Sequence, residues 1–292
     1  MGSRFLRIFF IALSISLFSE EAPHEISLTP RPRSVKKSPA TPVAAKPCPR
    51  PCPAPIPQVE DDCFHSRLQI GADYTYAHIT PHGNASSSGN LGGLQALYEF
   101  RSSNWVYGGL TFAWKQGNTD GSEGNRSLLM FDVEERIGGC VNHWQERLDL
   151  ILFTGFGYRH YGEKVSGLGS SLRFNYNEFY VPVGFLFNGK VSSSFGIGLN
   201  AQWMPQVYPT VTIVPLKGAR WIISNELANF RIEVPLTIVM SCRNHLTLII
   251  QPFFEYWRDG HTTAHTELGT ALNVPGNTYL FGGVDLNIRY SF

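Results

Sequence analysis

Tyr279-Leu-Phe-Gly-Gly-Val-Asp-Leu-Asn-Ile-Arg-Tyr-Ser-Phe292 ends the sequence and decides its fold class. Leu280, Gly282, Val284, Leu286, Ile288, Tyr290 and Phe292 share one parity; Phe281, Gly283, Asp285, Asn287, Arg289 and Ser291 share the other. Alternation with period two is a β-strand, here with one apolar and one charged side. On this reading Arg at Leu286 or Ile288 is excluded by the apolar side, and Arg at Asn287 is accommodated.

Working back, the alternation returns in nine segments: Leu68–Tyr76, Leu94–Phe100, Val106–Trp114, Leu129–Ile137, Leu148–Tyr158, Phe179–Phe187, Phe195–Trp203, Phe230–Met240 and Leu246–Tyr256. Each is close to the length that crosses a bilayer at a tilt. Glu135 breaks the fourth, near its expected end, and Pro182, Pro235 and Pro252 interrupt three others. The connections alternate in length. Residues 78–91, 115–127, 161–175, 205–228 and 258–278 are long and polar or Gly-rich; 101–105, 138–147, 188–193 and 241–245 are shorter. A sandwich has no reason to sort its loops by parity, whereas a membrane barrel does. Tyr76, Trp105, Trp114, Tyr158, Trp203, Tyr256, Trp257, Tyr279 and Tyr290 lie near expected strand ends, as interfacial girdles do. The expected fold is therefore all-β, a closed antiparallel transmembrane β-barrel over residues 66–292, of ten strands, or eight if two weak ones merge.

Composition agrees. Charged residues are 16% of the chain, against about 25% in ordinary soluble domains. The net charge of +1 gives no reason to expect a nucleic-acid partner. Met1–Arg7 carries two positive charges and is followed by the uncharged apolar run Ile8–Phe18, so residues 1–19 read as a secretory signal peptide. That run is far short of the roughly 20 apolar residues of a spanning helix. Residues 20–65 are crowded with Pro and Lys/Arg, including Lys46-Pro-Cys-Pro-Arg-Pro-Cys-Pro53, and read as a spacer or a basic tether.

The closing strand, with Tyr290 two places before Phe292, resembles that of Gram-negative outer-membrane β-barrels, and residues 67–292 resemble the small-barrel families of opacity and adhesin type. The resemblance implies an integral outer-membrane protein with a periplasmic N-terminal tail, surrounded by outer-membrane lipid and lipopolysaccharide. It also implies that the assembly machinery reads Tyr290 and Phe292. The expected function is a structural or adhesion-type envelope protein with external loops; the alternatives are a narrow porin-like channel and an omptin-like outer-membrane protease.

The charged parity supplies the candidate lumen lining: Asp73, Glu99, Asp132, Glu134, Arg159, Glu178, Arg231, Glu233, Asp285 and Arg289, with Lys115, Arg136, Asp149 and Glu255 on the same side. Buried charges must be paired or wet, so these either plug a narrow barrel with ion pairs or line a pore. No catalytic, cofactor or metal site is assigned. For a protease, Asp259 with His261 is the nearest equivalent of a rim Asp/His pair. His78, His82, His160, His261 and His265 fall on the external side, but His-Thr-Thr-Ala-His lacks the Glu of a zincin and lies in a loop. All five cysteines, Cys48, Cys52, Cys63, Cys140 and Cys242, are expected in the oxidising periplasm. Their odd number leaves at least one for a free thiol or an intermolecular bond, the second of which would make a disulfide-linked envelope protein a partner. In cysteine placement the chain resembles chlamydial outer-membrane proteins.

Overall fold

The computed structural model describes residues 64–81, 86–102, 105–121, 124–144, 148–167, 170–214, 220–241, 245–262 and 274–292. Strand segments run in chain order as β1 (Phe64–Pro81), β2 (Ser87–Ser102), β3 (Val106–Gly121), β4 (Gly124–Trp144), β5 (Leu148–Gly167), β6 (Ser170–Tyr180) and β7 (Val183–Lys190). They continue as β8 (Phe195–Trp203), β9 (Gln206–Val214), β10 (Arg220–Ile222), β11 (Phe230–Glu233), β12 (Leu236–Ser241), β13 (Leu246–Arg258) and β14 (Asn277–Ser291). β6 with β7, β8 with β9, and β10 with β11 and β12 each make one interrupted wall strand, so the wall has ten strands.

Every pairing is antiparallel, and β1 pairs with both β2 and β14, which closes the ring. Closure leaves no lateral edge to satisfy, the condition for crossing lipid with strands. Pro182 and Pro235 interrupt the wall as expected, because they lack a ladder donor. Pro252 does not: it stays inside β13 opposite Val284, and its carbonyl accepts from Val234 N at 2.9 Å.

The apolar parity faces outward. Leu286 is 51% and Ile288 54% exposed, and comparable exposed aliphatics circle the wall. A soluble protein does not carry such a belt, so its solvent is lipid.

Four of the five long connections carry strand. β1 and β2 stay paired as far as Ile79 and Ser87, β3 and β4 as far as Gly121 and Gly124, and β5 and β6 as far as Gly167 and Ser170. Residues 205–228 contain β9 and β10. At 21 residues, β4 extends roughly 50 Å along a barrel axis at a ~40° tilt, about twice the ~25 Å apolar band. The physical reason is an inversion of parity. Beyond the belt the outward positions are polar (Asn90, Gln116, Asn118, Asn125, Lys164). The inward ones there are apolar (Ala77, Ile79, Leu91, Leu128, Tyr161) and form a buried cluster. At the end that carries the barrel's termini, the supposed turn 138–147 is likewise strand to Trp144.

Two aromatics assigned to the girdles belong inside. Trp257 and Tyr279 are each 2% exposed and pair across β13 and β14. They sit on the opposite parity from Tyr256 and Tyr290, and parity overrides proximity to a strand end.

Candidate functional site in the barrel interior

The interior is layered. At the terminal end Arg67, Gln69, Glu99, Arg101, Tyr107, Asp149 and Arg289 share the inward parity of β1, β2, β3, β5 and β14. Arg101 pairs with Asp149, the Tyr107 hydroxyl donates to Glu99 Oε1 at 3.1 Å, and Arg289 donates to Gln69 Oε1. Cys140, on β4 rather than in a turn, donates through Sγ to Asp149 Oδ1 at 3.1 Å. Cys48, Cys52, Cys63 and Cys242 lie outside the described residues.

In the middle a lattice of ion pairs crosses the lumen. Arg159 donates to Asp132 Oδ2 at 2.7 Å and Glu255 Oε1 at 2.6 Å. Arg231 donates to Glu233 Oε1 at 2.6 Å, Glu255 Oε2 at 3.1 Å and Asp285 Oδ2 at 3.3 Å. Glu255 thus ties both guanidiniums together across the barrel. Lys115 pairs with Asp73 at 2.7 Å, and Arg136 pairs with Glu134. Four cations face six carboxylates here. Strand register sets Asp73 directly opposite Asp285, with Lys115 and Arg231 as their neutralising partners.

The Tyr180 hydroxyl lies 2.7 Å from Asp132 Oδ1 and 2.9 Å from Glu134 Oε2. Its ring occupies the place of a missing side chain, since a Cβ at Gly157 would fall 2.1 Å from it. Arg159 and Arg231 also stack on Trp257 and Phe253, with ring centroids at 3.9 and 4.3 Å. The free space among these groups is about 80 Å³, room for roughly half a dozen waters.

Towards the far end the lumen turns aromatic. Tyr161 meets Tyr176 and Tyr279 at centroid distances of 5.9 and 5.0 Å, and Tyr180 meets Trp257 at 5.6 Å. Asn277 Nδ2 donates to the Tyr176 and Tyr279 hydroxyls at 3.1 and 3.0 Å. Glu178 and Asp259 line a small void within this layer, and Arg126 pairs with Glu163 above it.

Sequence parity placed Asp73, Glu99, Asp132, Glu134, Glu178, Arg159, Arg231, Glu233, Asp285 and Arg289 on one side, and these residues do point inward. Nine of them meet in the central lattice or the terminal layer; Glu178 stands apart, and neither of its carboxylate oxygens finds a hydrogen-bond donor among the described residues. Tyr180, Gln202 and the aromatic layer were missed, although their parity alone would have found them.

Asp259 and His261 do not form a pair. Asp259 is buried and accepts from Trp257 Nε1 at 3.1 Å, whereas His261 is exposed, its Nδ1 3.4 Å from Ser224 Oγ. His160 Nδ1 contacts Asn177 Oδ1 at 3.0 Å; His82 and His265 lie outside the described residues.

Burial pushes the Asp259 carboxyl above its usual range, and the bond from Trp257 opposes this without overcoming it. A raised folded-state value means the penalty is absent below about pH 4 and grows as pH rises through that value. Asp259→Asn is therefore expected to stabilise the barrel by about 1–3 kcal/mol at neutral pH and to do nothing at pH 3. Denaturant midpoints measured across pH check this; an equal shift at both pH values would show that the carboxylate is not penalised.

No family model matches the sequence. No curated protein matches it. Among solved structures the fold is similar to the outer membrane protease OmpT from Escherichia coli, at 9% identity over 79% of this chain and 97% of that one, with a TM-score of 0.54. The translocator domain of the autotransporter NalP from Neisseria meningitidis also matches, at 14% identity over 77% and 88% of the two chains, with a TM-score of 0.43. The likeness to the first is one of fold: a closed β-barrel of the Gram-negative outer-membrane type.

Proposed function

We propose that this protein is an integral outer-membrane barrel of structural or adhesion type, non-enzymatic and with a closed lumen, whose interactions are made by its external end. The observation that carries the reading is the stacking of a cross-lumen ion-pair lattice beneath an aromatic layer, with a cavity of about 80 Å³ among the lattice groups. A porin-like channel would need both layers to move. An omptin-like site is not supported, because the buried Asp259 carboxylate accepts from Trp257 while the exposed His261 ring contacts Ser224. The terminal end is read as periplasmic and the strand extensions as projecting beyond lipopolysaccharide, which sets the polar outward positions near Asn118 and Asn125 at the cell surface. Assembly through the outer-membrane machinery would then rely on Tyr290 and Phe292; the latter is tied to Ser66 by backbone bonds of 2.9 and 3.1 Å.

Swelling of proteoliposomes in an isosmotic pentose solution tests the closed lumen. The expected rate equals that of protein-free vesicles; a rate that scales with the amount of folded barrel would overturn the reading.

The cysteines support anchoring of the tail to the envelope. Non-reducing electrophoresis of native envelopes is expected to show higher-mass species that collapse on reduction and vanish when Cys48, Cys52 and Cys63 are substituted together. A single monomeric band with all five thiols open to alkylation would remove that role.

A further inference from the structure

Glu135 stands mid-way along β4 and faces outward, not near a strand end as its sequence context suggests. Among the described residues it is the one charged side chain on the outward face of the apolar belt, with Val133 and Ile137 flanking it along the strand. Its cross-strand neighbours are Leu110, at the centre of the apolar run of β3, and Phe156, within the apolar run of β5. It makes no hydrogen bond or ion pair among the described residues. Inside the barrel a carboxylate at this depth has guanidinium partners; outside it has hydrocarbon. An ionisable group in that position is costly and points to a partner.

Three candidates differ in reach and charge. A lipid headgroup lies roughly 15 Å away, half the thickness of the hydrocarbon core. A second copy of this chain offers no Lys or Arg on the described belt, so it would bring another Glu135 or an aliphatic side chain. A spanning segment of a different protein reaches this depth and can carry the missing charge. Space is available beside Glu135, because Gly108 and Gly139 flatten the wall around Ile137, which is 63% exposed. A Cβ at Gly108 would meet only Phe100 Cδ1, at 4.0 Å.

We propose that the outward face of β3, β4 and β5 docks a membrane-spanning segment of another protein that presents a Lys or Arg to Glu135. The proposal requires the barrel to lie in a bilayer, not that its lumen be closed, so it can fail independently of the functional reading above. The probe is a synthetic Leu/Ala transmembrane helix with one central Lys, labelled with dansyl, and a matched helix with Leu in that place. Each is mixed with the full-length barrel in phosphatidylcholine vesicles, and energy transfer from the barrel's tryptophans reads association. The Lys helix is expected to bind about tenfold more tightly than the Leu helix. Glu135→Leu should abolish that preference and Glu135→Gln should reduce it; the isosteric Gln keeps the test valid if the Leu variant folds poorly. Equal binding of the two helices, or a preference unchanged in both variants, overturns the proposal. Glu135-dependent dimers of the barrel alone would also overturn it, by making a second copy the occupant.

Discussion

Leu286→Arg and Ile288→Arg are expected to block membrane insertion of the barrel. Both side chains face outward from the C-terminal half of β14, paired with Ala72 and Ile70 of β1 and with Ile250 and Leu248 of β13. An Arg on the lipid face costs ~2–4 kcal/mol at the midplane, a large fraction of a marginal stability. It would also sit on the strand that closes the ring, where a failed pairing opens both neighbours. Heat-modifiable migration after refolding into vesicles reads the outcome, with the folded band lost in both variants. The control on the other parity needs more care than the sequence suggests. Asn287, expected from alternation alone to accept Arg, is fully buried, and its Oδ1 sits where a Cβ on Gly71 would be. Arg there has no room. Asn188, which lines the lumen cavity, is the appropriate control, and Asn188→Arg is expected to fold. Equal tolerance of Arg at Leu286, Ile288 and Asn188 would contradict a lipid-facing β14.

Glu255→Leu is expected to destabilise the folded barrel by about 3–5 kcal/mol, because it strands the guanidiniums of Arg159 and Arg231 in a buried site. Asp132, Glu233 and Asp285 remain, so the loss falls short of complete unfolding. Glu255→Gln keeps an acceptor for one of the two arginines and should cost less. Guanidinium unfolding in lipid vesicles measures both. A loss below ~0.5 kcal/mol for the Leu variant would mean that water already screens the lattice and that the lumen is wetter than its geometry implies.

The ten-strand wall was legible because lipid on one side and a polar lumen on the other impose opposite demands on successive residues, as from Leu68 to Tyr76. What defeated the reading was the level at which those demands reverse. Above the belt, Leu91, Leu128 and Tyr161 turn inward while Asn118 and Asn125 turn outward, so the alternation persists with its faces exchanged. A rule that seeks apolar residues on a single parity takes such a stretch for a polar loop. The same exchange hid the aromatic layer, and with it Trp257 and Tyr279. The inward charges were legible as a set, but not their pairing: Arg159 and Glu255 are far apart in sequence and meet only when the ring closes. Glu135 was visible as an irregularity. Only the register against Leu110 and Phe156 shows that it lies at mid-depth.

Single-channel recording in planar bilayers tests the central claim, a barrel closed by its own side chains. Folded wild-type protein, shown to be inserted by protection of its strands from protease, is expected to give no conductance steps above the bare bilayer. Reproducible ohmic steps from the same preparation would contradict the account, because ions could not pass the Arg159–Glu255–Arg231 lattice and the Tyr161–Tyr279 layer as they are packed here.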